Sequence, residues 1–163
     1  MTIAQIMEKM IAFSEGNIHD ISTELRVDLA KLIGEREGLY ADTQGFLELA
    51  AITHDIACPL CRKKYGNTNG KYQEQEGAPL VREFLADTGM TAEQIDRVAY
   101  LVGHHHSPAQ INGIDYQILI EADYIVNASE SGYGQQAIRT FMEHTMKTAA
   151  GIRLTKTVFG VSK

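Results

Sequence analysis

Tryptophan is absent from this chain, proline occurs only three times, cysteine twice, and aromatic residues make up 7%. Two cysteines are too few for a disulfide framework. No apolar run approaches the roughly 20 residues that span a bilayer. The N-terminus carries no basic-then-apolar signal pattern, so a cytoplasmic protein without membrane contact is expected. Positive charge is also short: 15 Lys and Arg stand against 21 Asp and Glu, a formal charge of −6. A general nucleic-acid binder needs a basic face to displace counterions, so that class of partner is not expected. A small phosphorylated substrate held by a few local cations remains compatible with this balance. The charge leaves the oligomeric state open.

What is present suits one helical domain. With 163 residues, 44% hydrophobic and 22% charged, the chain can bury a core, and at roughly 150 residues per domain it is one unit. β-branched alternation is nearly absent, and neither an internal repeat nor a linker is visible, so the expected fold class is an all-α helical bundle. The first helix is expected over Thr2 to Phe13, with a break at Gly16-Asn17. A second carries the apolar stripe Ile18, Ile21, Leu25, Leu29 and Leu32 and ends in the Gly34 to Gly38 segment. Thr43 can cap a third helix that buries Phe46, Leu47, Leu49, Ala50 and Ile52. A polar stretch from Cys58 to Gly77 is expected as a long, functional loop. Helices follow at about Pro79–Asp87 and, from a Thr91/Gln94 capping box, to about His104. Further helices are expected at about Asp115–Ser129 and Gln135–Ala149, before a short tail.

Polar residues on apolar helix faces single out a site. Leu47, Ala50, Ala51 and His54 lie at i, i+3, i+4 and i+7, which puts His54 on the core-facing stripe with Asp55 after it. Leu119, Ala122, Asp123 and Val126 repeat the spacing, and a carboxylate there is costly to bury without a cation or a metal. The plain alternative is a hydrogen-bonded core histidine.

The segment Ala51-Ile-Thr-His-Asp-Ile-Ala resembles the central motif of the HD-domain superfamily of metal-dependent phosphohydrolases. Leu119-Ile-Glu-Ala-Asp123 is similar to that family's closing aspartate segment, and Gly103-His104-His105-His106 resembles its intervening histidine cluster. The likeness runs from about Ile18 to Phe159. It implies a single HD-like domain over residues 1–163, with a core at about 18–130 and C-terminal helices at about 135–159. It further implies one divalent cation on imidazole and carboxylate ligands, which suit Mn, Fe, Co, Ni or Zn and permit Mg. Carried over by position, the ligands are His54, Asp55 and Asp123. The family's first histidine falls about four residues before the Val of an Arg/Lys-Val pair. Arg26-Val27 is present, but position 23 is Thr, so either His19 substitutes from one turn earlier or the site lacks a ligand.

The implied reaction is hydrolysis of a small phosphate ester, a nucleotide among the candidates, by attack of metal-bound water. Asp55, His104 and His105 are the expected catalytic residues. Two of the three histidines could instead complete a second metal site, although between Tyr65 and Gly103 only Glu74 and Glu76 stand out as further oxygen ligands, which favours one ion. Where several nucleotidase-like members carry a glutamate after the His-Asp pair, this chain has Cys58, so that role is vacant or moved. Arg62, Lys64, Tyr65 and Lys71 are expected to bind the substrate, with a solvated charged loop as the plain alternative. Cys58-Pro-Leu-Cys61 has no second pair to make a zinc site. The competing function is a catalytically degraded HD-fold module that binds metal or nucleotide and regulates a partner.

Overall fold

The computed structural model describes residues 1–13 and 24–161. Among these residues the chain is all-α, with no strand: α1 (Ile3–Phe13), α2 (Glu24–Glu37), α3 (Ala41–Thr53), α4 (Cys58–Tyr65), α5 (Gly70–Leu85), α6 (Ala92–Val102), α7 (Ile114–Glu130), α8 (Gln135–His144) and α9 (Ala149–Phe159), with a 3-10 turn at Pro108–Gln110. α3 and α7 are the central pair. α3 packs on α1, α2, α6 and α7, while α7 packs on α2, α3 and α9. α3 is buried all round from Leu47 to Thr53 and α7 over most of its length, which explains why an apolar stripe on either was only part of the pattern.

Of the stripe expected on α2, Leu29 packs against the core, Ile18 and Ile21 lie outside the described residues, and the other two leucines face away. Leu25 and Leu32 are 54% and 36% exposed, whereas Arg26, Val27, Ala30 and Ile33 are buried. The helix runs past Gly34 to Glu37 and ends within the expected Gly34 to Gly38 segment. The cause is the approach of α3: a Cβ on Gly34 would lie 2.1 Å from Gln44 Oε1. Small residues on the Ala30/Gly34 face admit the neighbouring helix, where a leucine ridge would hold it off. Gly38, at φ 72°, supplies the left-handed residue that closes the helix. α3 then begins at Ala41 after Tyr40, two residues ahead of the expected Thr43 cap.

The expected loop from Cys58 to Gly77 is helical. Pro59 stands in the first turn of α4, where its missing N–H costs nothing. α5 starts at Gly70 and buries Gln73, Gly77, Val81, Phe84 and Leu85, a spacing of three and four. Its polar composition disguises that periodicity, and Pro79 lies inside it on the exposed side rather than at its start. α6 keeps the capping box: Thr91 Oγ1 accepts from Gln94 N at 3.3 Å and Gln94 Oε1 from Thr91 N at 2.9 Å. It stops at Val102, so the three histidines fall in a turn rather than on the helix.

The C-terminal helix is two helices. Glu121, fully buried on α7, accepts from Gln117 Nε2 at 2.7 Å, from Lys147 N at 2.7 Å, from Thr148 N at 3.1 Å, and from the Thr148 hydroxyl. Thr148 Oγ1 in turn accepts from Gly151 N at 3.0 Å and caps α9. This buried acid breaks the chain after α8 and starts a helix where a tail was expected. No helix among the described residues is long and apolar enough to cross a membrane.

Candidate metal centre

His54 and Asp55 occupy the turn between α3 and α4, and His105 the turn after α6. Both imidazoles are buried, at 1% and 2% exposure, and meet edge to face with centroids 5.4 Å apart. Each anchors its Nδ1 on the carbonyl three residues back, His54 on Ala51 at 2.8 Å and His105 on Val102 at 2.6 Å. That bond directs the other nitrogen, Nε2, into the site. Among the described residues neither Nε2 has an aligned hydrogen-bond partner. His54 Nε2 lies 3.1 Å from Asp55 Oδ2 and 3.5 Å from Asp123 Oδ1, close enough for charge attraction but off the line of a hydrogen bond.

Electrostatics separate the two rings. Burial disfavours a charge on His54, but Asp55 and Asp123 outweigh it and raise the pKa to about 10. Burial would likewise raise both carboxyls, yet the His54 cation holds them well below the usual carboxylate range. His105 goes the other way: burial, then the charges of His106 and His54, push it down to about 3. The cluster therefore holds one imidazolium between two carboxylates, beside one neutral imidazole.

The donors fit a divalent ion in kind. Two buried imidazole nitrogens with anchored Nδ1 atoms and two carboxylates are the N/O set that first-row metals take. Among the described residues no three His, Cys, Asp or Glu side chains are already arranged to hold an ion. Ligation by His54 requires it to lose its proton, because only neutral imidazole binds metal.

His54, Asp55, Asp123 and His105 thus converge from three separate turns and helices. His104 does not join them: its ring stacks on Tyr100 at 4.1 Å and its Nδ1 meets Tyr100 O at 2.7 Å. His106, exposed, lies 4.0 Å from the His105 ring instead. The turn is held by Glu74, which accepts from His106 N at 2.9 Å and Ser107 Oγ at 2.8 Å, and by Tyr116, whose hydroxyl meets His104 O at 2.5 Å and Ser107 O at 2.6 Å. His19 lies outside the described residues.

The expected substrate-binding residues cluster on α4 and α5, where two of them fasten one helix to the other. Lys64 Nζ and the Tyr65 hydroxyl both donate to Glu76 Oε1, at 2.7 and 2.5 Å, and Tyr65 stacks face to face on Tyr72 at 3.9 Å. Arg62 and Lys71 are exposed. Glu74 and Glu76 are thereby both committed to structural partners. Cys58 and Cys61 are buried thiols with no disulfide between them, and Cys58 Sγ lies 3.7 Å from Asp55 Oδ1.

Sequence reasoning missed Arg26 and Asn127. Arg26 Nε donates to Asp123 Oδ1 at 2.7 Å and its Nη2 to Asn127 Oδ1 at 2.5 Å, while Asn127 Nδ2 donates to Asp123 Oδ2 at 2.8 Å. Asp123, Asn127 and Glu130 stand at i, i+4 and i+7, one face of α7. That polar stripe was the available signal.

No family model matches the chain, and comparisons with curated proteins and with solved structures find no match.

Proposed function

We propose that this chain is a cytoplasmic, metal-dependent phosphohydrolase of the HD-domain kind, acting on a small phosphomonoester or phosphodiester, with nucleotides among the candidate substrates. The observation that supports it is the pair of buried imidazoles, His54 and His105, whose Nε2 atoms make no aligned hydrogen bond and meet, on the His54 side, the carboxylates of Asp55 and Asp123. Buried polar atoms are rarely left unpaired, and such exceptions call for an ion or a reaction. His54, His105, Asp55 and Asp123 would hold one divalent ion of Mn, Fe, Co, Ni or Zn character. When bound, that ion supplies a Lewis acid for the phosphoryl oxygen and a nucleophile at neutral pH.

The chain's own residues then do the rest. The backbone carbonyls of Ala51 and Val102 fix the orientation of each imidazole and keep the proton on Nδ1 once the ring is neutral. Cys58 touches Asp55 and adds a weak donor where a carboxyl group would have supplied a general acid. The buried walls of α3 and α7 keep bulk water from the inner side of the site.

Metal content after exposure to Mn2+, Co2+ or Ni2+ and dialysis tests the reading. One equivalent per chain, lost in Asp123→Asn, with turnover in a panel of phosphate esters, is the expected result. No retained metal under any of these conditions overturns it. The second reading is a regulatory module without catalysis, and one observation favours it: Cys58 stands beside Asp55 while Glu74 and Glu76 are tied to other partners. Retained metal without turnover of any ester would decide for that module.

A further inference from the structure

A carboxylate aims its lone pairs only as well as its partners hold it, since rotation about the last bond of an aspartate is soft. Asp123 is held from two directions. Asn127, one turn further along α7, donates to Oδ2 at 2.8 Å, and Arg26 crosses from α2 to donate to Oδ1 at 2.7 Å. The two holders are themselves joined, Arg26 Nη2 to Asn127 Oδ1 at 2.5 Å, and the far end of the guanidinium reaches Glu130 Oε2 at 3.5 Å. Arg26 is 6% exposed, so its fork is locked between α2 and the polar face of α7. Each carboxylate oxygen has two lone-pair sites. The clamp uses one on each oxygen, and His54 Nε2 lies 3.5 Å from Oδ1.

Resting on the metal-centre reading above, we propose that Arg26 is the positioning residue for that centre: its planar fork, and not merely its charge, orients Asp123 toward His54. Two effects of a guanidinium oppose each other at such a place. As a cation it repels an incoming divalent ion, whereas as a two-pronged donor it orients the ligand that the ion needs. The structure favours the second, because Nε and Nη2 engage both the carboxylate and the amide that holds its other oxygen. Lysine, a single point of charge, cannot span both. Hydrogen-bonding groups behind a ligand are commonly worth 10–100-fold in metal affinity.

The test is titration of the full chain with Co2+, following the visible ligand-field absorption and the heat of binding, for wild type, Arg26→Gln, Arg26→Lys, Asn127→Ala and Arg97→Gln. Arg97 is the comparison, since it makes an ion pair to α7 through Asp115 at 2.9 Å but stands outside the cluster. Arg26→Gln is expected to weaken Co2+ binding about 10–100-fold and to shift the absorption. Arg26→Lys should fail to restore either, Asn127→Ala should weaken binding by a smaller factor, and Arg97→Gln should leave both readouts unchanged. Equal or tighter Co2+ binding in Arg26→Gln, or full rescue by Arg26→Lys, overturns the proposal while leaving the metal centre intact. If Arg26→Gln fails to fold, the Arg26→Lys and Asn127→Ala titrations decide, and unchanged affinity in both overturns it. Absence of Co2+ binding in wild type overturns the metal centre itself, and Arg26 with it.

Discussion

Glu121 and Asp123 lie two residues apart on α7 and are both buried, yet the protein uses them differently. Glu121 is surrounded by neutral donors: a glutamine amide, two backbone N–H groups and a threonine hydroxyl. All four belong to α7 or the α8–α9 connection, and together they turn the chain into α9. Asp123 is surrounded by cationic groups, Arg26 and His54, with one amide beside them. A carboxylate whose acceptors are filled by neutral backbone groups is a structural part. A carboxylate held between cations, beside imidazole nitrogens that make no aligned hydrogen bond, is the kind of group that the proposed metal centre requires. Burial alone therefore does not mark a site; the kind and completeness of the partners do.

Replacing Glu121 tests the structural half of this contrast. Glu121→Ala strands at least three buried donors, each at about 1–3 kcal/mol, so a loss of roughly 3 kcal/mol or more is expected in urea denaturation. Hydrogen exchange should rise through α9, while Co2+ binding by the folded fraction stays as in wild type. A mild loss of stability, or loss of Co2+ binding without unfolding, would erase the distinction.

Asp123→Asn should show the opposite profile. It keeps the shape and an acceptor for Arg26 but exchanges charge-assisted bonds for neutral ones, at about 1–2 kcal/mol. Its main effect is expected on metal, which should be lost on dialysis while the thermal midpoint falls by only about 2–8 °C.

The dependence of stability on pH, measured with metal withheld, sharpens the contrast further. The His105 pKa is lowered from 6.5 to about 3 in the fold. The unfolded chain then takes up a proton that the folded one refuses, and stability falls as pH drops below 6.5. The His54 pKa is raised from 6.5 to about 10. Its contribution is complete below pH 6.5 and is lost as pH rises from there through about 10. Stability should accordingly be greatest near pH 6.5. His105→Gln is expected to flatten the acid limb between pH 6.5 and the carboxylate range, and His54→Gln the alkaline limb. Monotonic behaviour across pH 5–9 would contradict the charge assignment.

The smallest effect concerns the neighbouring histidines. His104→Gln removes a ring stacked on Tyr100 and should leave Co2+ affinity within about twofold, a change below roughly 0.5 kcal/mol. His105→Gln should abolish tight binding. Equal effects would show that the turn after α6 does not distinguish them.

Much of the fold was legible from local pattern. The Thr91/Gln94 capping box is complete within four residues, and the helical character of α3, α6 and α7 follows from spacing that neighbours along the chain already express. The polar run that conceals α5 was misread because Gln73 and Gly77 do the work of apolar residues on its buried face. The α2 stripe was misread at Leu25 and Leu32 because these are the larger residues, while the contact is made where the helix is smallest, at Ala30 and Gly34.

By itself, the sequence determined that the chain is helical and that His54 and Asp123 stand on buried faces, because helical periodicity is a property of residues three and four apart. Only the tertiary structure decided that His105 rather than His104 faces His54, that Arg26 closes on Asp123 from 97 residues away in sequence, and that Glu121 belongs to the scaffold. Adjacent side chains in a turn point in different directions, and no local pattern states which of them a distant helix will meet. Buried charge obeys the same limit: its partner is selected by which helices pack together, a choice made by the whole core at once.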